Sequence, residues 1–186
     1  MSDPVVPFPA ASVLLLREPL EVLMILRHEN SSFVPSAWVF PGGAVDPGDG
    51  PVDDAETFRR AAIRETEEET GIRLTGELVL TSRWITPLGM PKRFDTRFFL
   101  AKVARDVGVT LQESEATDSR WITPSDALAR HRRGEFPMVF PTIKNLEAIG
   151  AATSIDELIA SRRGAKVEPV QPVMIVDGNR KRIVLP

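Results

Sequence analysis

The amino-terminal part of the chain consists of short apolar runs separated by polar turns, a pattern typical of β-strands. Residues 11–16 and 21–26 are two such runs, and the segment Arg17-Glu18-Pro19-Leu20 between them predicts a hairpin turn. Residues 38–40 predict a third strand, which ends in the glycine loop Pro41-Gly42-Gly43.

The spacing of apolar residues changes to that of a helix over residues 54–70. Gly71 follows the last helical position, where a glycine commonly ends a helix. Further along, the pattern predicts strands over residues 78–86, 93–103 and 119–122, and helices over 124–133, 141–150 and 154–162.

Both ends of the chain are rich in proline. Residues 1–9 hold three prolines and are expected to lie extended on the surface. The tail over residues 167–186 holds three more and two short apolar stretches. We expect it either to pair as an edge hairpin around Asp177-Gly178-Asn179 or to dock on a partner subunit of a homodimer. Residues 1–186 are interpreted as one domain.

Composition narrows the classes of function. With 186 residues, of which 42% are hydrophobic and 26% charged, the chain can bury a full core. A net charge of −3 gives no electrostatic reason to expect nucleic acid or an anionic membrane as a partner. The apolar runs are too short to cross a bilayer. Cysteine is absent, which excludes a thiol nucleophile, and without a recognisable address signal we expect a cytoplasmic protein.

The helix over residues 54–70 directs some of its acids to its apolar face. Measured from Phe58 at about 100° per residue, Glu65 falls at about 340° and Glu69 at about 20°, inside the apolar stripe. Glu68 lies beside the stripe at about 280°, and Glu67 points the opposite way at about 180°. Carboxylates on a buried face are costly unless something neutralises them, and a divalent cation would do so.

A solvated acidic helix end is the plain alternative for these acids. It accounts for Glu67 but not for Glu65 and Glu69. Acids are also unfavourable at a helix C-terminus, where the macrodipole favours cations. Because hard oxygen ligands suit these metals, the helix predicts a site for Mg²⁺ (or Mn²⁺).

The nine residues from Arg64, Arg-Glu-Thr-Glu-Glu-Glu-Thr-Gly-Ile, lie downstream of Phe-Pro-Gly-Gly and resemble the signature box of the Nudix hydrolase superfamily. Thr66 alone departs from the box, at a position where an aliphatic residue is usual. The resemblance implies a Nudix-type α/β/α sandwich with a mixed β-sheet, an α/β (α+β) fold. It also implies hydrolysis of a diphosphate linkage in a nucleoside diphosphate joined to another group, with Mg²⁺ or Mn²⁺ held by the glutamates of the box.

The box also requires a glycine and an acid upstream of Arg64, and two registers supply them. Gly50 with Glu56 fits the literal spacing, but Glu56 falls near 160° on the helical wheel, away from the metal face. Gly43 with Asp49 fits if roughly seven residues, about two helical turns, are inserted before Arg64, which would preserve the acidic face. We favour Asp49.

The resemblance assigns roles to the box residues. Glu68 and Glu69 are expected to be direct metal ligands, and Glu65 either a ligand or the general base. Attack on the diphosphate phosphorus would come from a metal-activated water. Arg64 is expected to orient a carboxylate through a charge-assisted hydrogen bond.

Two further ligands are expected from loops. The glycine loop approaches the metal, and the carbonyl of Gly43 is expected to ligate it. Members of the family often supply an additional acid from a later loop, and we expect Glu115 rather than Glu113 in that role.

Motifs outside the box are similar to the Nudix branch that includes coenzyme A diphosphatases with an interrupted box. They are Trp84-Ile85-Thr86-Pro87, Arg93-Phe94-Asp95-Thr96-Arg97-Phe98-Phe99 and Trp121-Ile122-Thr123-Pro124. The coenzyme A recognition pattern upstream of the box is matched essentially only at Arg27, and the carboxy-terminal peroxisomal tripeptide is absent. The motifs outside the box alone make coenzyme A or acyl-CoA the leading single expectation for the substrate.

Four residues are expected to bind that substrate. Arg93 and Arg97 share one face of a predicted strand and, with Arg27, could contact phosphates through their planar guanidinium groups. A self-paired, exposed face around Asp95 explains the same alternation equally well. Trp84 is expected to contact the rest of the substrate.

A non-catalytic Nudix-fold ligand sensor or protein-interaction domain is the alternative function. Such domains usually lose glutamates of the box, and these are intact here. A Nudix-fold isomerase of isoprenoid diphosphates would need a catalytic cysteine, which this chain does not have. The expected partner is a small-molecule diphosphate, with neither nucleic acid nor membrane.

Overall fold

The computed structural model describes residues 5–31, 33–178 and 180–186. Its main sheet contains β1 (Phe8–Arg17), β2 (Glu21–Arg27), β3 (Trp38–Val39), β4 (Gly42–Ala44), β5 (Val79–Ile85), β6 (Phe94–Lys102), β7 (Ala116–Ile122) and β8 (Pro169–Val170). Within the described residues these eight strands follow the order β3-β2-β1-β6-β5-β8, with β4 paired to β1 and β7 paired to β2.

Strand β1 lies in the middle of the sheet because it is buried on both faces. Residues 10–16 are all buried, as expected for a continuous apolar run. The strand pairs in parallel with β6 and antiparallel with β2, so the sheet is mixed. The pairing of Arg17 with Glu21 closes the hairpin that the sequence predicted.

Helices cover both faces of the sheet. Helix α1 (Ala55–Thr70) lies on one face, and α2 (Pro124–Arg132), α3 (Phe140–Ile149) and α4 (Ile155–Arg162) supply the opposite one. One core cluster joins Phe58 of α1 to Val13 and Leu15, and the other joins Leu14 and Leu16 to residues of α3 and α4. Successive side chains of β1 therefore point alternately into two cores, one on each face of the sheet. The expected α/β/α sandwich is confirmed.

Helix α1 begins and ends as the sequence predicted. The side chain of Asp54 accepts a hydrogen bond from the Glu56 N–H and caps the first turn. Gly71 adopts the left-handed conformation, with φ of 69°, and its N–H bonds to the Glu67 carbonyl. These caps fix where the acidic stretch of the helix ends.

Three segments differ from expectation. Gly42–Ala44, expected in a loop, forms the short strand β4 against β1. Strand β1 begins at Phe8, which pairs with Phe94, whereas the apolar run predicted a start at residue 11. Phe8 itself is extended and exposed, as expected for the surface. Strand β7 begins at Ala116, three residues before the predicted start at residue 119. A register shift in β2 allows Ala116 to pair with Arg27, which lengthens the strand. Two- and three-residue strands are too short to show alternation.

The carboxy-terminal segment adds to the fold in two ways. Strand β8 pairs in parallel with the edge strand β5. Beyond it, β9 (Val173–Asp177) and β10 (Arg180–Val184) form a separate two-stranded sheet, so this hairpin does not extend the edge of the main sheet. Asn179, expected at its turn, lies outside the described residues. No helix in the described ranges combines the length and apolar character needed to cross a membrane.

Arg93 connects three parts of the chain. It is 4% exposed and donates hydrogen bonds to the Val5 carbonyl at 2.7 Å, the Thr86 carbonyl at 3.0 Å and the Gln171 Oε1 at 2.9 Å. The guanidinium thus ties the amino-terminal segment and the residue after β5 to the carboxy-terminal segment.

We expect Arg93→Met to lower the free energy of unfolding by about 2–4 kcal/mol, because it leaves three acceptors without their donor. Urea denaturation followed by circular dichroism measures the change. Arg73→Met is the control, since Arg73 is 81% exposed and pairs with Glu67 on the surface. A loss for Arg93→Met no larger than that of the control would show that solvent replaces the guanidinium.

Candidate functional site

Glu69 lies on the apolar face of α1 and is 3% exposed. Its Oε2 accepts a hydrogen bond from the backbone N–H of Gly42 at 2.7 Å. Burial raises the pKa of Glu69 to about 8, and the neighbouring carboxylates of Glu65 and Glu115 add to the rise, while the Gly42 bond and Arg27 oppose it. A negative charge at this position is costly without a cation.

Glu65 approaches the same place from the preceding turn of the helix. A Cβ atom added to Gly43 would lie 2.2 Å from the Oε2 of Glu65, so the backbone can come this close only at a glycine. Pairing of β4 with β1 holds Gly43 in this position. Burial raises the pKa of Glu65, and the hydrogen bond from Arg64 opposes that rise.

Glu115 completes the group from the loop before β7. The backbone of this loop is attached to α1, because the N–H of Gln112 bonds to the Glu69 carbonyl at 3.1 Å. One carboxylate oxygen from each of Glu65, Glu69 and Glu115 lies within 4.8 Å of the others. We call these residues the acidic triplet.

The acidic triplet could hold a hard divalent cation. It gathers three carboxylates, of which one is buried and one is half-buried, and carboxylate oxygens are ligands that Mg²⁺ and Mn²⁺ favour. Each of Glu65 and Glu69 has its pKa raised by burial and by the other acids. A bound cation would offset both effects.

Arg64 links the acidic triplet to Asp49, which lies in the short 3-10 turn Pro47–Asp49 after β4. Its Nε and Nη2 donate to the two oxygens of Asp49 at 3.1 and 2.8 Å, and its Nη1 donates to Oε1 of Glu65 at 2.6 Å. These bonds from Arg64 hold the pKa of the buried Asp49 carboxyl below its ordinary value. The ionised pair orients Glu65, the kind of role that the sequence predicted for Arg64.

Only one of the two acids weighed for the early position of the box contacts Arg64. Asp49 does so through both oxygens, whereas Glu56 pairs with Arg59 on the exposed side of α1. The geometry therefore agrees with the register that starts from Gly43 and inserts residues ahead of Arg64.

The other two box glutamates lie outside the acidic triplet. The Glu68 side chain is 56% exposed and accepts a hydrogen bond from Arg64 Nη1 at 3.2 Å. Glu67 points away and pairs with Arg73 at 2.6 Å. The helical wheel placed both residues correctly, while the assignment of Glu68 as a direct metal ligand stays a prediction.

The acidic triplet lies in the wall of a cavity of about 540 Å³, the main cavity. Arg27 and Trp84, both expected to bind substrate, line it. The Nε of Arg27 is buried and has no hydrogen-bond partner among the described residues. Such a donor is costly to bury and suits an anionic ligand.

Arg93 and Arg97 do not line the main cavity, contrary to the expectation that they bind substrate. Arg93 is occupied within the fold as described above. Arg97 lies on the opposite face of β6, where its guanidinium carbon is 3.5 Å from the ring centre of Phe58 in α1. Asp95 pairs with Arg83 at 2.6 Å. The charged face of β6 thus packs towards α1. The self-paired alternative is also wrong, because Asp95 pairs with Arg83 of β5 and Arg93 is buried.

Sequence reasoning missed the other face of β6. Phe94, Thr96 and Phe98 line the main cavity, and the alternation that grouped Asp95 with Arg97 places these three on the opposite side. That signal was available in the sequence. Phe33 and Phe140 also line the cavity but come from segments without a strand period.

Comparisons with known proteins show to which proteins the chain is similar. The family model described as NUDIX domain matches residues 6–140. "Putative nudix hydrolase 7" of Caenorhabditis elegans is 27% identical over an alignment 209 positions long, gaps included, which covers 91% of this chain and 70% of that protein. A crystal structure of a NUDIX hydrolase from Alicyclobacillus acidocaldarius is 26% identical, with a TM-score of 0.79 over 87% of this chain and 99% of that one.

A further relative has a name that states an activity. "Acyl-coenzyme A diphosphatase NUDT19" of Xenopus laevis is 22% identical over an alignment 234 positions long, gaps included, which covers 74% of this chain and 62% of that protein. The chain therefore spans less than two thirds of that relative.

Glu69→Gln is expected to stabilise the metal-free protein. The unfolded carboxyl loses its proton near the ordinary pKa of 4.5, whereas the folded one keeps it to about 8. Because the folded pKa is the higher one, the wild type loses stability as the pH rises from about 4.5 to about 8, and the variant does not. In urea denaturation with EDTA at pH 8, the variant should be more stable by on the order of 2–4 kcal/mol.

In the presence of Mg²⁺ the wild type should be more stable than Glu69→Gln, because the cation binds the folded wild type and binds the variant only weakly. Glu67→Gln is the matched control and should change neither the metal-free stability nor the response to Mg²⁺. Equal stability of wild type and Glu69→Gln from pH 5 to pH 8 would show that the carboxyl is not buried as described.

Asp49→Ala should weaken Mg²⁺ binding by about 10–100-fold, because Arg64 then no longer holds Glu65 in place. Glu56→Ala removes an exposed acid and should leave the affinity unchanged. The Mg²⁺ concentration that gives half of the maximal rise in melting temperature measures the affinity of each variant. The reverse ranking would restore the register that starts from Gly50.

Proposed function

Because the chain belongs to the Nudix hydrolase family, whose members act on diphosphate bonds, we propose that it is a metal-dependent hydrolase of a nucleotide-containing diphosphate. The observation that carries the proposal is the acidic triplet in the wall of a large cavity. The substrate is a small molecule with a nucleoside diphosphate joined to another group.

Glu65, Glu69 and Glu115 would hold a Mg²⁺ or Mn²⁺ ion, and the carbonyl of Gly43 would add a ligand from the glycine loop. A cation bound there lowers the pKa of a coordinated water and offsets negative charge on the phosphate oxygens. Glu68, whose Oε2 accepts a hydrogen bond from Arg64, would join these ligands as a further carboxylate. The mutual distances within the acidic triplet support this assignment.

Arg64 serves as the positioning residue of the site. It binds Oε1 of Glu65 and leaves Oε2 on the side of Gly43. Glu65 Oε2 is thereby placed to complete the ligand set or to accept the proton of the attacking water. The ionised Asp49 holds the guanidinium of Arg64 in place. A displacement of Asp49 would therefore also displace Glu65.

Arg27 is the residue we assign to the diphosphate. Arg27 lines the cavity that also contains Glu69, its charge acts on that carboxyl, and its Nε has no hydrogen-bond partner among the described residues. Guanidinium groups bind phosphate oxygens with two parallel hydrogen bonds. Trp84 would contact the group beyond the diphosphate, since its ring lines the same cavity.

Coenzyme A or an acyl-CoA is the single substrate we propose first. Two observations support it: the named activity of the Xenopus laevis relative and the largely apolar lining of the main cavity, which suits a pantetheine or acyl arm.

We expect Mg²⁺-dependent release of 3′,5′-ADP and phosphopantetheine from coenzyme A, faster than cleavage of NADH, ADP-ribose or nucleoside triphosphates. Chromatography that separates the products measures the rates. Turnover of ADP-ribose or NADH with coenzyme A untouched would remove the coenzyme A assignment and keep the enzyme class. Absence of cleavage across the panel would favour a ligand sensor.

Active-site variants tie any activity to the acidic triplet. Glu69→Gln should lower turnover by several orders of magnitude, because it removes a ligand and a charge. Glu67→Gln makes the same chemical change on the same helix and should be nearly silent. If the two variants lost activity equally, the metal face of α1 would be wrongly assigned.

A further inference from the structure

We infer that the carboxy-terminal segment, residues 171–178 and 180–184, forms one wall of the main cavity and selects substrates whose group beyond the diphosphate is apolar. This inference rests on the proposed function, because it names the group that the same site takes. The family model ends at residue 140, yet Pro172 and Ile183 line the cavity. The wall is therefore an addition to the part of the fold that the family model covers.

The segment is fixed to the sheet just before it reaches the cavity. Val170 of β8 pairs with Trp84, a residue of the cavity lining. The next residue, Gln171, accepts a hydrogen bond from the buried Arg93 at 2.9 Å. Pro172 then enters the lining. A buried guanidinium thus determines where the hairpin begins relative to the cavity.

The register of the hairpin shows which face is turned inward. Ile183 pairs with Met174, so the two side chains share a face. Ile183 lines the cavity, and a Cβ atom added to Gly89 would lie 3.5 Å from the Cε of Met174. Ile175 lies on the opposite face.

The chemistry of the lining indicates what this wall encloses. Charge in the lining comes from Arg27, Glu65, Glu69, Lys92 and Glu115. Most other lining side chains are apolar, and several are aromatic. A group rich in hydroxyls would lose hydrogen bonds to water there, whereas an alkyl or acyl chain would lose none. The part of the cavity beside Arg27 and the acidic triplet would bind the diphosphate, and the apolar remainder would bind an alkyl or acyl chain.

The test uses ADP esterified on its terminal phosphate with ethyl, hexyl or dodecyl chains, and ADP-ribose as the polar comparison, all with Mg²⁺. For the wild type we expect KM to fall as the chain lengthens, with little change in kcat. Ile183→Ser should raise the KM ratio of the dodecyl ester to ADP-ribose by roughly tenfold, because the chain loses an apolar contact.

Ile175→Ser is the matched control. It makes the same chemical change on the outer face of the same hairpin, and the two residues are equally accessible, at 40% for Ile175 and 38% for Ile183. We expect its KM ratio to equal that of the wild type. Thermal unfolding of both variants checks that the hairpin substitution leaves the fold intact.

A binding measurement separates this inference from the proposed function. N-phenyl-1-naphthylamine, a neutral apolar fluorophore, is titrated into the protein in EDTA, where no hydrolysis occurs. Ile183→Ser should weaken its binding several-fold relative to Ile175→Ser. If Ile183→Ser weakens binding of the fluorophore but the wild type hydrolyses none of the esters, the cavity wall is supported and the proposed function is rejected. Hydrolysis of the esters with the two variants indistinguishable in KM ratio and in probe binding would reject the wall and keep the function.

Discussion

Negative charge held inside an apolar helix face is the constraint on which the site depends. Glu69 lies where the helix would ordinarily present a hydrophobic residue to the sheet. Its carboxylate accepts a hydrogen bond from the Gly42 N–H, and burial raises its pKa to about 8, so the charge is costly there without a cation. The neighbouring position must be glycine to leave room for Glu65. The pairing of the short strand β4 with β1 holds the backbone of Gly42 and Gly43 against these two residues.

The helical period was enough to predict part of this site. Glu65 and Glu69 had to face the core wherever α1 packed, since they continue the stripe of Phe58. Asp49 was also within reach of sequence reasoning, because a two-turn insertion preserves the direction of a helix face. Glu115 was less certain from sequence, since its position depends on a loop bonded to the end of α1 through Gln112.

Tertiary packing decided what the sequence could not. The alternation in β6 correctly separated two faces, yet nothing local states which face meets a helix and which meets a cavity. Arg97 therefore stacks on Phe58 while Phe98 lines the cavity. Arg93 is fixed by partners 88 and 78 residues away in sequence. Strands as short as β4 and β8 carry no period of their own and form only because a long neighbour offers hydrogen bonds.

The division of the core has a consequence for how such enzymes diversify. Leu14 and Leu16 of the central strand share a cluster with Leu146, Ile149 and Leu158, all beyond the end of the family model. The extension is thus not a detachable module: exchanging α3 and α4 between relatives would require changes in the central strand at the same time. Substitutions on the outer face of the following hairpin require no matching change in the central strand, because that face is exposed. Recombination and drift can therefore act on the last fifteen or so residues almost independently, which makes them the part of the chain where new selectivity can arise at the least risk to folding.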